Sequence, residues 1–180
     1  MKKMKIILLM ATTADGKIAR DDSHFPDWTS KADKQMFKTM SQKAGVVIMG
    51  SRTYQTIGKP LPNRLNVVMT RHPHRFQPQS NLVFFSDTPD HLVEWLKSRG
   101  YQTAILAGGA TINSIFLNYQ LIDEMIISVI PIVFGQGISL FSEPTDASLS
   151  LVDYRMIGHN IIVLRYRFNY QSSTPIRGIV

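Results

Sequence analysis

The sequence predicts an α/β domain: a mixed, mostly parallel sheet of about eight strands, flanked by helices in three layers. Three observations carry that expectation. Short apolar runs alternate along the chain with segments of helical period. Several runs, such as Val46-Val47-Ile48-Met49, are continuously apolar, as strands buried on both faces are. Clear helix start and stop signals stand between them.

Strands are expected over residues 6–12, 46–49, 65–70, 82–85, 103–106, 124–133, 149–156 and 161–168. The last ends on Arg165-Tyr166-Arg167-Phe168, whose alternation suits a half-exposed strand. Ser30 can cap a helix running to about residue 43, with Asp33 at its third position in a capping-box-like arrangement. Met36, Phe37, Met40 and Ala44 then share one helical face. Thr88-Pro89-Asp90 opens another helix and Gly100 stops it. Short helices are expected after Ser51 and after Thr111. No repeat divides the chain, so residues 1–170 read as one domain. Residues 171–180 show no period and read as a flexible C-terminal tail.

Composition narrows the classes. With 180 residues, 44% apolar and 18% charged, the chain can build a sizeable core. It has no cysteine, which excludes disulfides, zinc–thiolate sites and thiol nucleophiles. The lysine-rich start and the apolar run from Ile6 to Ala11 are too short for a signal peptide and lead into Thr12, Thr13 and Asp15. No segment approaches the roughly 20 apolar residues of a membrane span. A cytoplasmic protein without a membrane partner is expected. The net charge of +7 is spread along the chain with no basic block, so a small molecule is the expected partner rather than nucleic acid.

Two strand-to-helix junctions carry the chemistry. In Met49-Gly50-Ser51-Arg52-Thr53 a glycine ends a buried strand, and hydroxyls with a cation follow at a helix start. Free N–H groups and the helix dipole favour an anion there, although a plain glycine turn with a hydroxyl cap uses the same residues. In Ala107-Gly108-Gly109-Ala110-Thr111 the small residues allow a ligand close to the backbone. The G-x-G-x-x-G fingerprint, the Walker loop, the G-x-S-x-G elbow and the His-x-x-x-His metal pair are all missing. His72, His74 and His91 sit in or beside expected loops, and no metal site is expected.

A longer stretch is more specific. Residues 47–71, from Val47-Ile48-Met49-Gly50 through Thr53-Tyr54-Gln55-Thr56-Ile57-Gly58-Lys59-Pro60-Leu61-Pro62-Asn63-Arg64 to Thr70-Arg71, resemble dihydrofolate reductase almost throughout. Ala14-Asp15-Gly16-Lys17-Ile18-Ala19 resembles the first loop of that superfamily, and Trp28 stands where it keeps a tryptophan. Residues 106–116, 121–124 and 131–141 are more similar to the reductase domain of the riboflavin-pathway deaminase–reductase, which shares the fold. Together these resemblances span residues 5–168. They imply a dihydrofolate-reductase-like fold and NADPH as cofactor.

The resemblance also implies roles. Asp33 matches the carboxylate that contacts the pterin's amidine-like edge and supports protonation of its imine nitrogen, with a helix-capping acid as the alternative. Trp28, Phe37 and Ile57 match substrate-contacting positions. Arg64 matches the arginine that grips folate's glutamyl carboxylate, or is a surface cation at a strand start. Ala11, Ile18, Gly50, Ser51, Arg52 and Thr53 match cofactor positions, with Thr70 and Arg71 near the adenosine 2′-phosphate. Ala107, Gly108, Gly109, Ala110 and Thr111 match the second cofactor junction, where the superfamily joins the glycine pair by a cis peptide. Ser128 loosely matches a hydroxyl that orients the substrate.

Two residues depart from the dihydrofolate reductase pattern: Ala110 replaces a third glycine and Asn113 an aromatic. The riboflavin enzyme's Asp-Asp-Pro-x-Leu stretch is also missing. Three functions therefore stay open: a pterin (dihydrofolate-type) reductase, a stand-alone aminouracil ribosyl-phosphate reductase, and a non-catalytic ligand-binding relative. The apolar run 125–134 fits either a central strand or a homodimer interface.

Overall fold

The computed structural model describes residues 3–170. Its strands are β1 (Lys5–Thr13), β2 (Lys17–Ala19), β3 (Val46–Gly50), β4 (Leu65–Met69), β5 (Leu82–Phe85), β6 (Thr103–Leu106), β7 (Glu124–Ile130), β8 (Ile138–Ser139), β9 (Leu149–Ile157) and β10 (Ile161–Phe168). The helices are α1 (Lys31–Ala44), α2 (Ser51–Ile57), α3 (Pro89–Ser98) and α4 (Ala110–Asn118), with a 3-10 turn at Pro73–Arg75.

Eight strands form one sheet in the order β5-β4-β3-β6-β1-β7-β10-β9, and β2 pairs with β8 in a small ribbon. From β5 to β7 the neighbours are parallel, and β10 and β9 add antiparallel partners. The expected mixed, mostly parallel sheet flanked by helices is the one observed. Every residue of β3 is buried, which is why its run is apolar without alternation.

Helices cover the two faces. Met36, Phe37, Met40 and Ala44 of α1 pack on Leu9, Ile105, Ile126 and Val163. On the other face Leu92 and Leu96 of α3 join Phe116 and Leu117 of α4 over Leu8, Ile48, Leu106 and Ile127. Each fully buried leucine or phenylalanine there contributes about 1.5–3 kcal/mol relative to an exposed one. Ser30 caps α1, its Oγ accepting from Asp33 N at 3.1 Å, and Gly45 ends the helix in the left-handed conformation.

Some boundaries differ from expectation. β7 stops at Ile130, because Pro131 next to it has no N–H for the ladder. α4 begins at Ala110, with Gly109 as its N-cap. The β2–β8 ribbon was not anticipated, since strands of three and two residues carry no readable period. β7 is flanked by β1 and β10, so residues 125–130 of the apolar run form a central strand, and 131–134 lie beyond it. A cis peptide joins Gly108 to Gly109, as the resemblance implies. The tail, 171–180, lies outside the described residues.

Candidate functional site

In a parallel sheet with helices on both faces, the carboxyl ends of the strands frame a crevice where the connections diverge to opposite sides. Here the ends of β1, β3, β4, β5 and β6 open on a cavity of about 1080 Å³. That exceeds the usual span for one small ligand, about 300–1,000 Å³, and leaves room for two molecules side by side.

The two junctions meet in its wall. Gly50 N donates to Gly108 O at 2.8 Å, tying the end of β3 to the end of β6. Side chains have no room at either place. A Cβ on Gly50 would stand 2.9 Å from Ile112 Cγ1, and one on Gly108 would stand 2.9 Å from Met10 Sδ. Gly108 also has φ +86°, a left-handed conformation that favours glycine. Gly50 and Gly109 are the N-caps of α2 and α4, and neither helix has a side-chain cap bond. Their first-turn N–H groups are left for a ligand beside Ser51, Arg52, Thr53, Ala110 and Thr111, all of which line the cavity.

At the opposite end stands Asp33. Its backbone N–H takes the Ser30 cap, but its carboxylate makes no return bond to Ser30 N. The carboxylate therefore does not serve as a capping group and lines the cavity instead. Asp33 is 8% exposed, and burial pushes its carboxyl above the ordinary value of 3.8, opposed by the hydroxyls of Ser128 and Thr29 and by Lys34. Ser128 Oγ is buried and within electrostatic reach of Asp33, yet no protein atom meets it at regular hydrogen-bond geometry. Ser128 sits opposite Ala11 in the β1–β7 ladder, which places it under the cavity floor. Trp28 lines the same end, and its Nε1–H is also buried without a partner. Buried polar groups without partners are rare in folded proteins. Two such groups at the Asp33 end of the cavity suit a polar ligand.

Every residue the sequence reading assigned to the site lines this cavity except Arg64, Gly108 and Ser128, the last lying beneath its floor. Gly108 acts through its carbonyl, as above. Arg64 is 6% exposed, with Nε donating to Pro62 O at 3.0 Å and Nη1 to Ser41 Oγ. Burial lowers its pKa, and no acid pairs with it among the described residues. It lies behind the wall rather than in it.

Other residues escaped the sequence reading. Asp22 pairs with Arg52 at 2.8 Å, linking the loop before α1 to the start of α2 across the cavity lining. Phe134 packs against Trp28 and His24 at centroid distances of 5.3 and 5.5 Å, with Arg20 stacked over it at 4.0 Å. Asp15 ties this flap to β1, accepting from Thr13 Oγ1 at 2.5 Å and Gly135 N at 2.8 Å, and these bonds lower its pKa to about 2. Asp87, at the far end, holds His91 at 2.8 Å and lines the cavity. The contacts of Asp22 and Phe134 join loop residues to distant ones and have no local sequence signal, whereas Thr13–Asp15 and Asp87–His91 are local pairs two and four residues apart. Among the described residues no group of three metal-ligating side chains gathers.

The raised pKa of Asp33 has a thermodynamic consequence. The folded state binds its proton more tightly than the unfolded chain, so stability falls as pH rises from the unfolded value through the folded one, and the cost is complete above that. Asp33→Asn is expected to raise Tm at pH 7, with the gain shrinking as pH falls through the raised folded value toward 3.8 and absent below it. Thermal denaturation across pH checks this. An unchanged or lower Tm at pH 7 would mean the carboxylate is stabilising, as a cap would be.

With this geometry in place, comparison with known proteins is informative. Residues 5–160 match the family model of dihydrofolate reductase. The uncharacterized protein YwjB of Bacillus subtilis is 30% identical over 150 residues, 79% of this chain and 85% of that one. The diaminohydroxyphosphoribosylaminopyrimidine deaminase/5-amino-6-(5-phosphoribosylamino)uracil reductase of Thermotoga maritima superposes with a TM-score of 0.78 at 19% identity, over 93% of this chain and 57% of that one. Dihydrofolate reductase from Enterococcus faecalis, complexed with NADP(H), superposes with a TM-score of 0.70 at 18% identity, over 94% of this chain and 99% of that one. At such identities the two structures speak for the fold alone.

Proposed function

This chain belongs to the dihydrofolate reductase family, with structural relatives on the riboflavin-reductase side of the same fold, and we propose that it is an NADPH-dependent reductase acting on a C=N bond of a pterin. The observation that carries the reading is Asp33: a buried, uncapped carboxyl facing a cavity that also holds both glycine junctions.

The residues fit the cofactor. The uncapped starts of α2 and α4 offer N–H groups and positive dipole ends to a pyrophosphate. Arg71 and Thr70, which line the cavity just beyond β4, would meet the adenosine phosphate and favour NADPH over NADH. NADPH, when bound, supplies the hydride.

Substrate handling falls to the other end. The Asp33 carboxylate can accept two hydrogen bonds from an aminopyrimidine edge, which orients the ring. Its raised pKa lets it hold a proton near the imine nitrogen, and Ser128 and Trp28 supply a hydroxyl and an N–H beside it. Phe37 and Ile57 close the ring slot with apolar surface that excludes water. Arg64, buried with no acid beside it, would gain its missing counter-charge from a substrate carboxylate reaching past the wall.

A stand-alone aminouracil ribosyl-phosphate reductase is the second reading. It is favoured by Asn113, buried where dihydrofolate reductases keep an aromatic, its Nδ2 donating to Leu140 O at 2.8 Å. Lys34, on the cavity wall next to Asp33, could meet the sugar phosphate. A ligand-binding relative without turnover is the third.

NADPH oxidation followed at 340 nm with dihydrofolate, and separately with the aminouracil ribosyl phosphate, distinguishes these readings. Turnover on dihydrofolate is expected, falling about 100-fold or more in Asp33→Asn while binding persists. Turnover on the aminouracil alone would move the protein to the second reading, and binding without turnover on either would leave the third. Arg64→Ala is expected to raise KM for a glutamylated pterin more than for a simple one. Equal effects on both would remove its carboxylate role.

A further inference from the structure

The parallel ladder of β4 and β5 closes on Met69 opposite Phe85, and Thr70 N donates to Phe85 O at 2.9 Å. Arg71 and Asp87 each follow two residues after that last pair. Neighbouring strands thus deliver a cation and a carboxylate to one end of the cavity, and both line it. Lys34, Arg52 and Arg71 are the lysine and arginine side chains in the cavity lining. Lys34 stands next to Asp33, and Arg52 is paired with Asp22 at 2.8 Å. Arg71 forms no ion pair among the described residues.

Asp87 is held in place. Its Oδ1 accepts from Thr88 N at 2.7 Å, and its Oδ2 lies 2.8 Å from Nδ1 of His91 on the first turn of α3. The Thr88 amide, and then His91, keep its carboxyl below the ordinary value of 3.8, so the group is anionic at neutral pH. A carboxylate beside the start of α3 also suits the helix dipole, which is a purely structural use for it. That use accounts for both bonds and still leaves a negative charge at the cavity wall, near any anion that Arg71 attracts. Each carboxylate oxygen also has a second lone pair for another donor.

We infer that Asp87 is a cofactor-specificity residue, its carboxylate opposing Arg71 so that the cavity binds adenosine with a free 2′-hydroxyl nearly as well as adenosine with a 2′-phosphate. The inference rests on the cofactor reading above and refines it. A 2′-phosphate carries nearly two negative charges at neutral pH, which Arg71 attracts and Asp87 repels. A 2′-hydroxyl offers no charge to repel and can donate to the carboxylate. The Asp87 side chain is 57% exposed, so water and salt hold its effect to a few-fold.

Isothermal titration of the full chain with adenosine 2′,5′-bisphosphate, and separately with 5′-AMP, tests this without turnover. The wild type is expected to prefer the bisphosphate by less than about tenfold. Asp87→Asn is expected to widen that preference about fivefold, because asparagine keeps an acceptor for Thr88 N and loses the charge. If Asp87 only steadies α3, the variant lowers Tm and shifts both affinities by the same factor. A wild-type preference well above tenfold overturns the inference. So does an unchanged or narrowed preference in Asp87→Asn that circular dichroism shows to be folded, and either result leaves the cofactor reading intact. Failure of the wild type to bind either nucleotide removes both.

Discussion

The 2.8 Å hydrogen bond from Gly50 N to Gly108 O joins the ends of two strands that are distant in sequence, and most of the site depends on it. β3 and β6 are neighbours in the sheet, so their exits could have been screened from each other by side chains. Two glycines remove that screen, with Ile112 and Met10 filling the space that Cβ atoms would take. The starts of α2 and α4 are thereby brought together at one wall, each with its first-turn N–H groups uncapped. An uncapped helix end is costly alone. Two facing the same cavity suit an anion, whose arrival would offset the cost.

The other end of the cavity rests on a similar imbalance. Ser30 caps α1 without help from Asp33, which leaves the carboxyl buried, with the unpartnered Ser128 hydroxyl near it and the unpartnered Trp28 indole N–H at the same end of the cavity. A fold selected for stability alone would place an asparagine or an apolar residue there. The stabilisation comes from elsewhere: the continuous core of β1, β3, β6 and β7 beneath α3 and α4, and the α1 face on Leu9 and Ile105. The two ends differ in chemistry, one presenting bare amides and cations and the other a carboxyl with apolar walls. On the proposed function, that polarity would orient an anionic cofactor and an aminopyrimidine toward each other.

The architecture was legible because its signals are local. Val46-Val47-Ile48-Met49 read as a doubly buried strand because the run is apolar without alternation. The α1 face was readable from four residues at helical spacing. The site was readable where it lies at strand ends, as at Gly50 and Ala107 to Thr111. What stayed hidden is what depends on distance or on accessibility. Asp22 meets Arg52, and Phe134 meets Trp28, only because loops without a period converge. Arg64 read as a cation at a strand start, and nothing in its neighbourhood announced that Ser41 and Pro62 O would bury it. The capping-box pattern at Ser30 suggested a reciprocal pair. Only the geometry shows that one half of it was left for the cavity.

The account turns on whether the Asp33 carboxyl is buried and uncommitted in the absence of ligand. A carboxyl ¹³C NMR titration of the wild-type protein, with Asp33 assigned by comparison with Asp33→Asn, measures this directly. An apparent pKa above 3.8 is expected, the direction that burial without a cap imposes. A value at or below 3.8 would contradict the account, because it would describe a carboxylate already held by helix amides or water rather than one kept for a substrate.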